Sequence, residues 1–239
     1  VTARLFNPTA SVRIEKFDDR HFCLVVDDAL LEPERLAQFA ADRRGDFSAV
    51  DLSFYPGVHL PAPRELTASL TEFFRWGLRR HFDARRVENV YCRFSMVTLP
   101  PVALRPIQWI CHRDDSNLDA RLSMQASVLY LFHDQSLGGT NFYAPARPQS
   151  EIDALFVDAR RAAADTFAAK YRIKAGYMRE GNDYFRHIGG VAAKWNRLIF
   201  YDGSMLHSSD ITVPERLSND PLIGRLTLNG FFTSRRHLA

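Results

Sequence analysis

Gly224-Arg225-Leu226-Thr227-Leu228-Asn229 is the stretch on which the fold turns. Leu226 and Leu228 alternate with Arg225 and Thr227, and the apolar pattern runs on to Phe232. In an extended strand, successive side chains leave on opposite faces. One face is therefore apolar, and the other carries a guanidinium and a hydroxyl. This predicts a strand over 226–232 that builds a core on one side and faces a polar interior on the other. An arginine turned inward is costly unless a carboxylate meets it. Its planar fork suits such a partner by bidentate hydrogen bonding.

Working outward, alternation predicts two early strands, 12–17 and 21–26, joined through Asp18-Asp19-Arg20. Pro33 opens a helical pattern containing Leu36, Phe39 and Ala40. Residues 46–63, with Pro56-Gly57, Pro61 and Pro63, read as a loop. Its Ser53-Phe54-Tyr55-Pro56-Gly57 serves either as a lid over a pocket or as plain surface. A helix follows from 65 to about 82, with Leu66, Leu70, Phe73, Phe74 and Leu78 on one face. Strands are then expected at 90–99, 107–112, 123–132 and 140–143. A helical stretch is expected at 152–170, and strands again at 184–188, 198–201 and 205–208. Strands and helices do not alternate, which excludes a doubly wound sheet. The expectation is a mainly β chain with flanking helices, a double-sheet jelly roll. It forms one domain over 1–239, with a helical insertion at about 150–183.

Composition agrees. The chain has 239 residues, 46% of them apolar, and a formal net charge of +3, which excludes a disordered chain. Twelve glycines and twelve prolines without a repeat exclude a fibre. The basic residues are mostly arginine, and they interleave with acidic ones in pairs such as Arg79-Arg80 and Arg235-Arg236. Such pairs read as solvated surface, so nucleic acid is not an expected partner. Cys23, Cys92 and Cys111 are too few and too scattered for a disulfide framework or a structural zinc site. No apolar run approaches the ~18 residues of a membrane span, and the opening Val1-Thr2-Ala3-Arg4-Leu5-Phe6 has no leader-like core. A cytoplasmic protein without a membrane partner is the expectation.

The chemistry-bearing residues lie at strand ends. His112 and Asp114 are two apart, so extended backbone aims both to one side. His207 closes an apolar strand run and offers a third ligand. Two histidines and one carboxylate form the facial triad of non-haem Fe(II), which leaves coordination positions open. His133 and His187 are rivals. His207 is preferred because a strand arginine, Arg225, follows it 18 residues on. A dicarboxylate held to the metal at one end could meet Arg225 and Thr227 at the other. Arg93 and Arg105 are weaker candidates for approaching an anionic substrate. Cys111, beside His112, is expected to point away from the site, buried and inert.

Together these features resemble the Fe(II)/2-oxoglutarate-dependent oxygenase superfamily, particularly its prolyl-4-hydroxylase-like branch. The residues that carry the resemblance are His112-Arg113-Asp114, His207 and Arg225-Leu226-Thr227. They are joined by the entry Val25-Val26-Asp27-Asp28, the strand Ser127-Val128-Leu129-Tyr130-Leu131 and the turn Leu137-Gly138-Gly139-Thr140. It spans about residues 21 to 232 in the family's order. It implies a cupin-like double-stranded β-helix in which His112, Asp114 and His207 hold the iron and form the catalytic centre. Arg225, Thr227 and Tyr130 would bind 2-oxoglutarate as co-substrate. The implied reaction consumes O2, with ascorbate as a supporting reductant. It oxidises a small-molecule or amino-acid/peptidyl substrate, by hydroxylation in the first instance, with release of succinate and CO2. Asp114 is intact, which disfavours halogenation. His112 and His207 stand 95 positions apart, wider than in compact members. The insertion between them covers the substrate side or mediates a homodimer. Thr140-Asn141 after the double glycine also departs from the family's frequent acidic residue. Two other readings stay open: a cupin-like metal enzyme that does not use 2-oxoglutarate, and a non-catalytic binding protein on the same scaffold.

Overall fold

The computed structural model describes residues 5–49, 54–115 and 118–237. Its strands are β1 (Val12–Lys16), β2 (Phe22–Val26), β3 (Ser48–Ala49), β4 (Gly57–Pro61), β5 (Arg86–Val97), β6 (Leu122–Tyr130), β7 (Thr140–Pro145), β8 (Phe185–Val191), β9 (Leu198–Asp202), β10 (Leu206–Ser209) and β11 (Arg225–Arg235). Its helices are α1 (Pro33–Ala41), α2 (Arg64–Phe73), α3 (Gln149–Arg161) and α4 (Ala164–Tyr171). Eight strands form one sheet in the order β1-β2-β9-β6-β11-β5-β4-β3, and three form a second in the order β10-β7-β8. Every described pairing is antiparallel. This is a jelly roll, the double-stranded β-helix expected from the strand pattern.

The alternation along β11 sets the layers. Leu226, Leu228 and Phe232 are fully buried on the outer face of the large sheet, with Phe94, Met96, Leu129 and Phe200 from its neighbours. Leu36, Ala37, Leu66 and Leu70 of α1 and α2 cover that face. Phe74 is the keystone, with its ring 4.4 Å from Phe232 and 5.5 Å from Phe200. The inner faces of the two sheets meet through Val25, Val128, Ile199, Phe142 and Val191. Trp109, Ile110, Ile152, Leu155 and Phe167 make a third cluster, which seats α3 and α4 against the small sheet.

Several expectations need correction. The 46–63 loop contains β4, which pairs with β5 from Gly57↔Val97 to Pro61↔Arg93. Its prolines misled, because Pro61 sits at the end of a strand next to the sheet edge, where a missing N–H is tolerated. The 107–112 segment is not a strand. Pro106–Gln108 forms a 3-10 turn, in which the Gln108 side-chain carbonyl accepts from the Arg105 N–H at 3.0 Å. The apolar Ile107, Trp109 and Ile110 bury against the insertion and not in a sheet. The insertion is two helices and not one. Ala162 and Ala163 are extended, with ψ of 149° and 150°. The break folds α4 back so that Lys170 and Tyr171 reach Asp158 at 2.6 and 2.7 Å. The 65–82 helix is α2 followed by a π turn over Phe74–Leu78 and a 3-10 turn over Arg79–His81. Ser53 falls outside the described residues.

Candidate metal and co-substrate site

One backbone bridge assembles the metal-ligand set. His112 and His207 pair as an isolated antiparallel bridge, with reciprocal N–H to carbonyl bonds of 3.0 and 2.9 Å. This places the post-β5 segment along the free edge of β10, whose other edge pairs with β7. The Asp114 N–H donates to the Gly203 carbonyl at 2.8 Å, which fixes the carboxylate beside the two rings. Ligand atoms of His112, Asp114 and His207 all lie within 4.8 Å of one another. His112 Nε2 is 3.8 Å from Asp114 Oδ1, and His207 Nε2 is 3.5 Å from Asp114 Oδ2.

The three groups suit a divalent metal. His207 Nδ1 lies 2.9 Å from the Met205 carbonyl, which can only accept, so Nδ1 carries the proton. That leaves the Nε2 lone pair facing Asp114, the tautomer that ligation requires. Burial holds the His112 pKa well below the ordinary histidine value, with His207 adding to the effect. A neutral imidazole is the ligand form. Burial raises the Asp114 pKa, opposed by the nearby His207 and Arg93. Asp114 Oδ2 is buried without a hydrogen-bond partner. A buried carboxylate oxygen left in this state is costly, and a cation between the rings would satisfy it. Phe54 stacks on His112 at 5.3 Å, and Tyr201 packs against His207 at 4.8 Å, so both rings are held in place.

The triad opens into a cavity of about 410 Å³ between the two sheets. Its floor is the inner face of β11: Arg225, Thr227, Asn229 and Phe231. Arg225 is only 2% exposed. Its Nε donates to the Gly138 carbonyl at 3.0 Å and its Nη2 to the Gly139 carbonyl at 2.7 Å. It takes part in none of the described ion pairs. A guanidinium has five N–H donors, and two of them are spent on the turn. Thr227 donates to the Ser95 carbonyl at 3.3 Å, and the Tyr55 hydroxyl sits against both Thr227 and Arg225. Tyr130 pairs in register with Thr227, and its hydroxyl lies 2.8 Å from the Thr140 hydroxyl. Burial pushes the Tyr130 phenol up to about 12, so it stays protonated. Thr140 borders the cavity, whereas Tyr130 stands behind it.

The rival histidines lie elsewhere. His187 packs against Tyr143 at 5.4 Å, and His133 stacks on Trp195 at 4.0 Å. Cys111 is fully buried in the apolar cluster under the insertion. Arg105 sits at the start of the 3-10 turn and does not border the cavity. Arg93 and Arg113 do border it. The sequence reading missed Asn229 and Tyr201. Asn229 was open to inference, since it continues the two-residue period of Arg225 and Thr227. Tyr201 carried no signal beyond a strand of apolar residues.

No curated protein matches the chain. Among solved structures it is similar to the non-heme alpha ketoglutarate dependent epimerase SnoN from nogalamycin biosynthesis. That match has 9% identity, covers 90% of this chain and 81% of the other, and has a TM-score of 0.48. It is also similar to a prolyl-4-hydroxylase from Pseudomonas putida, at 13% identity, with 91% and 90% covered and a TM-score of 0.44. HygX from Streptomyces hygroscopicus, solved with nickel and 2-oxoglutarate bound, is a third, at 10% identity, with 89% and 82% covered and a TM-score of 0.41. Among the described residues no helix is long and apolar enough to cross a membrane. Residues 8–232 match the profile of a family of unknown function, DUF6445, and the chain belongs to that family.

Proposed function

We propose that this chain is a non-haem Fe(II)- and 2-oxoglutarate-dependent dioxygenase. On this reading it hydroxylates a small-molecule or amino-acid/peptidyl substrate and releases succinate and CO2. One observation carries the reading: a His-Asp-His set, with His207 buried and His112 and Asp114 partly so, and a buried arginine without a carboxylate partner among the described residues border the same cavity. The first needs a cation and the second needs an anion, and a metal-chelating dicarboxylate meets both needs at once.

His112, Asp114 and His207 would hold the metal on one face. Fe(II) with 2-oxoglutarate and O2 would supply the oxidising chemistry. Arg225 would bind the far carboxylate through its unspent donors, with Thr227 and Tyr55 beside it. Tyr130 would act at one remove, by orienting the Thr140 hydroxyl. Phe54, Tyr201 and Phe231 would keep the cavity dry.

The test is succinate release from 2-oxoglutarate in the presence of Fe(II), O2 and ascorbate, with candidate substrates added, alongside 2-oxoglutarate binding to the wild type and to Arg225→Ala. The expected result is turnover that depends on His112, Asp114 and His207, and at least a tenfold weaker 2-oxoglutarate affinity in Arg225→Ala. Unchanged 2-oxoglutarate binding by Arg225→Ala would sink the arginine assignment. Metal binding without any 2-oxoglutarate binding would favour a cupin-like enzyme of other chemistry.

A further inference from the structure

A second guanidinium, that of Arg93, borders the cavity besides the one of Arg225. Arg93 on β5 pairs in register with Asn229 on β11, four pairs along from Arg225↔Val97. Four residues of strand rise by about 13 Å. With the far carboxylate of 2-oxoglutarate assigned to Arg225, Arg93 is left for another ligand. Arg93 and Asn229 both border the cavity.

Both side chains are incompletely satisfied. Arg93 Nε is buried without a hydrogen-bond partner, and so is Asn229 Oδ1. Asn229 is only 9% exposed. Directly opposed residues of an antiparallel pair have Cβ atoms about 5 Å apart, near enough to bond each other, yet these two do not. The Arg93 guanidinium lies over the Phe231 ring instead, 5.0 Å from its centre. Phe231 itself borders the cavity. The result is an adjacent donor and acceptor, both buried and unspent. Among the described residues, the cavity lining contains three arginines, Arg93, Arg113 and Arg225, against one carboxylate, Asp114. The charge of Arg93 acts on His112 and Asp114, which places it within reach of the metal centre. An arginine committed to a structural ion pair would have a carboxylate in contact, and Arg93 takes part in none of the described pairs.

We propose that Arg93 and Asn229 form the anchoring subsite for the primary substrate, and that this substrate is an amino-acid-like carboxylate with an N–H next to the acid. Arg93 grips the carboxylate, and Asn229 Oδ1 accepts from the neighbouring N–H. The subsite narrows the substrate class of the oxygenase reading, on which it rests. It favours a free or N-acylated amino acid over an internal peptide residue, whose carboxyl is already consumed as an amide.

The test uses Zn(II)-loaded protein with saturating 2-oxoglutarate and ligand-observed NMR. One probe set is a pool of free and N-acetyl L-amino acids, and the other is the same compounds as primary carboxamides. At least one carboxylate should bind, with its carboxamide at least tenfold weaker. Arg93→Gln should weaken that ligand at least tenfold, Asn229→Ala about three- to tenfold, and Arg93→Lys less than Arg93→Gln. All three should keep 2-oxoglutarate affinity within twofold. If Arg93→Gln does not fold, the wild-type carboxylate-carboxamide contrast and Asn229→Ala decide. Equal binding of acids and amides overturns the subsite. So does an absence of any bound carboxylate while 2-oxoglutarate still binds, or an equal loss of both ligands in Arg93→Gln. Failure of 2-oxoglutarate itself to bind wild-type protein overturns the oxygenase reading instead, which keeps the two failures apart.

Discussion

The two faces of β11 are almost equally buried and chemically opposite. On the outer face Leu226, Leu228 and Phe232 are at 0% exposure. On the inner face Arg225, Thr227 and Asn229 are at 2%, 1% and 9%. Burial alone therefore does not separate core from site in this protein. What separates them is whether the buried atoms have spent their bonding capacity. Outer-face atoms need only close packing, and Phe74 with its neighbours provides it. Inner-face atoms need partners, and Asn229 Oδ1 still lacks one, as do Arg93 Nε and Asp114 Oδ2 around the same cavity.

The largest effect expected from disturbing this contrast is on the outer face. Leu228→Ala removes a fully buried side chain and should cost about 2–5 kcal/mol of stability by chemical denaturation. Metal and 2-oxoglutarate affinities of the folded fraction should stay within twofold. A loss below about 1 kcal/mol would show that this face is not the core.

Arg225→Met is the inner-face counterpart. It should weaken 2-oxoglutarate at least tenfold and also cost about 1–3 kcal/mol, because it strips the Gly138 and Gly139 carbonyls of their donor. A ligand defect without a stability defect would show that the turn finds another donor.

His59 tests the inner face by pH. It pairs in register with Ser95, and its Nδ1 lies 3.0 Å from the Ser95 hydroxyl. Burial pushes its pKa down to about 3, with Arg93 adding to the effect. The unfolded chain takes up a proton near pH 6.5, while the folded protein resists until about pH 3. Stability should therefore be level above pH 6.5 and fall as pH drops towards 3. This residue should contribute on the order of 1–3 kcal/mol across that window. His59→Gln should flatten that part of the profile. A profile unchanged from wild type would show that His59 is protonated in the folded state.

The smallest effect belongs to the rim. Arg197 meets Asp27 at 2.6 and 3.0 Å and, with Lys194 and Arg13, lowers its pKa. A depressed carboxylate stabilises above its unfolded value and loses that contribution as pH falls through the folded one. Asp27→Asn should cost about 0.5–1 kcal/mol at neutral pH, and the difference should shrink as acid protonates Asp27 in the folded protein.

Much of this was legible in the sequence, wherever periodicity spoke for both faces. Along Arg225 to Phe232 the alternation gave the strand, its two faces and the inward arginine. His112, Asp114 and His207 were readable because a two-residue spacing and a strand end constrain direction. The 107–112 segment was not readable. A short apolar run looks alike whether it enters a sheet or packs beneath helices, and only the tertiary partners decide. Gly57–Pro61 was hidden for the converse reason, since its loop-like residues are tolerated next to a sheet edge. Arg93 was visible only as a weak candidate. Its standing comes from lying opposite Asn229, and cross-strand register between residues so far apart in sequence leaves no local trace.

The Gly138-Gly139 turn reaches further than its own position. Gly138 has a φ of +84°, and a Cβ there would lie 1.5 Å from the Asp210 carbonyl oxygen. A Cβ on Gly139 would lie 2.0 Å from the Val191 oxygen. Any side chain at either position must therefore move the turn, and with it the two carbonyls that aim Arg225. The guanidinium reaches its ligand already oriented by a mould cast in another part of the chain. That mould works only while it stays bare. An alanine in this turn, remote in sequence from Arg225 and from both histidines, should read out as lost anion recognition with the metal ligands undisturbed.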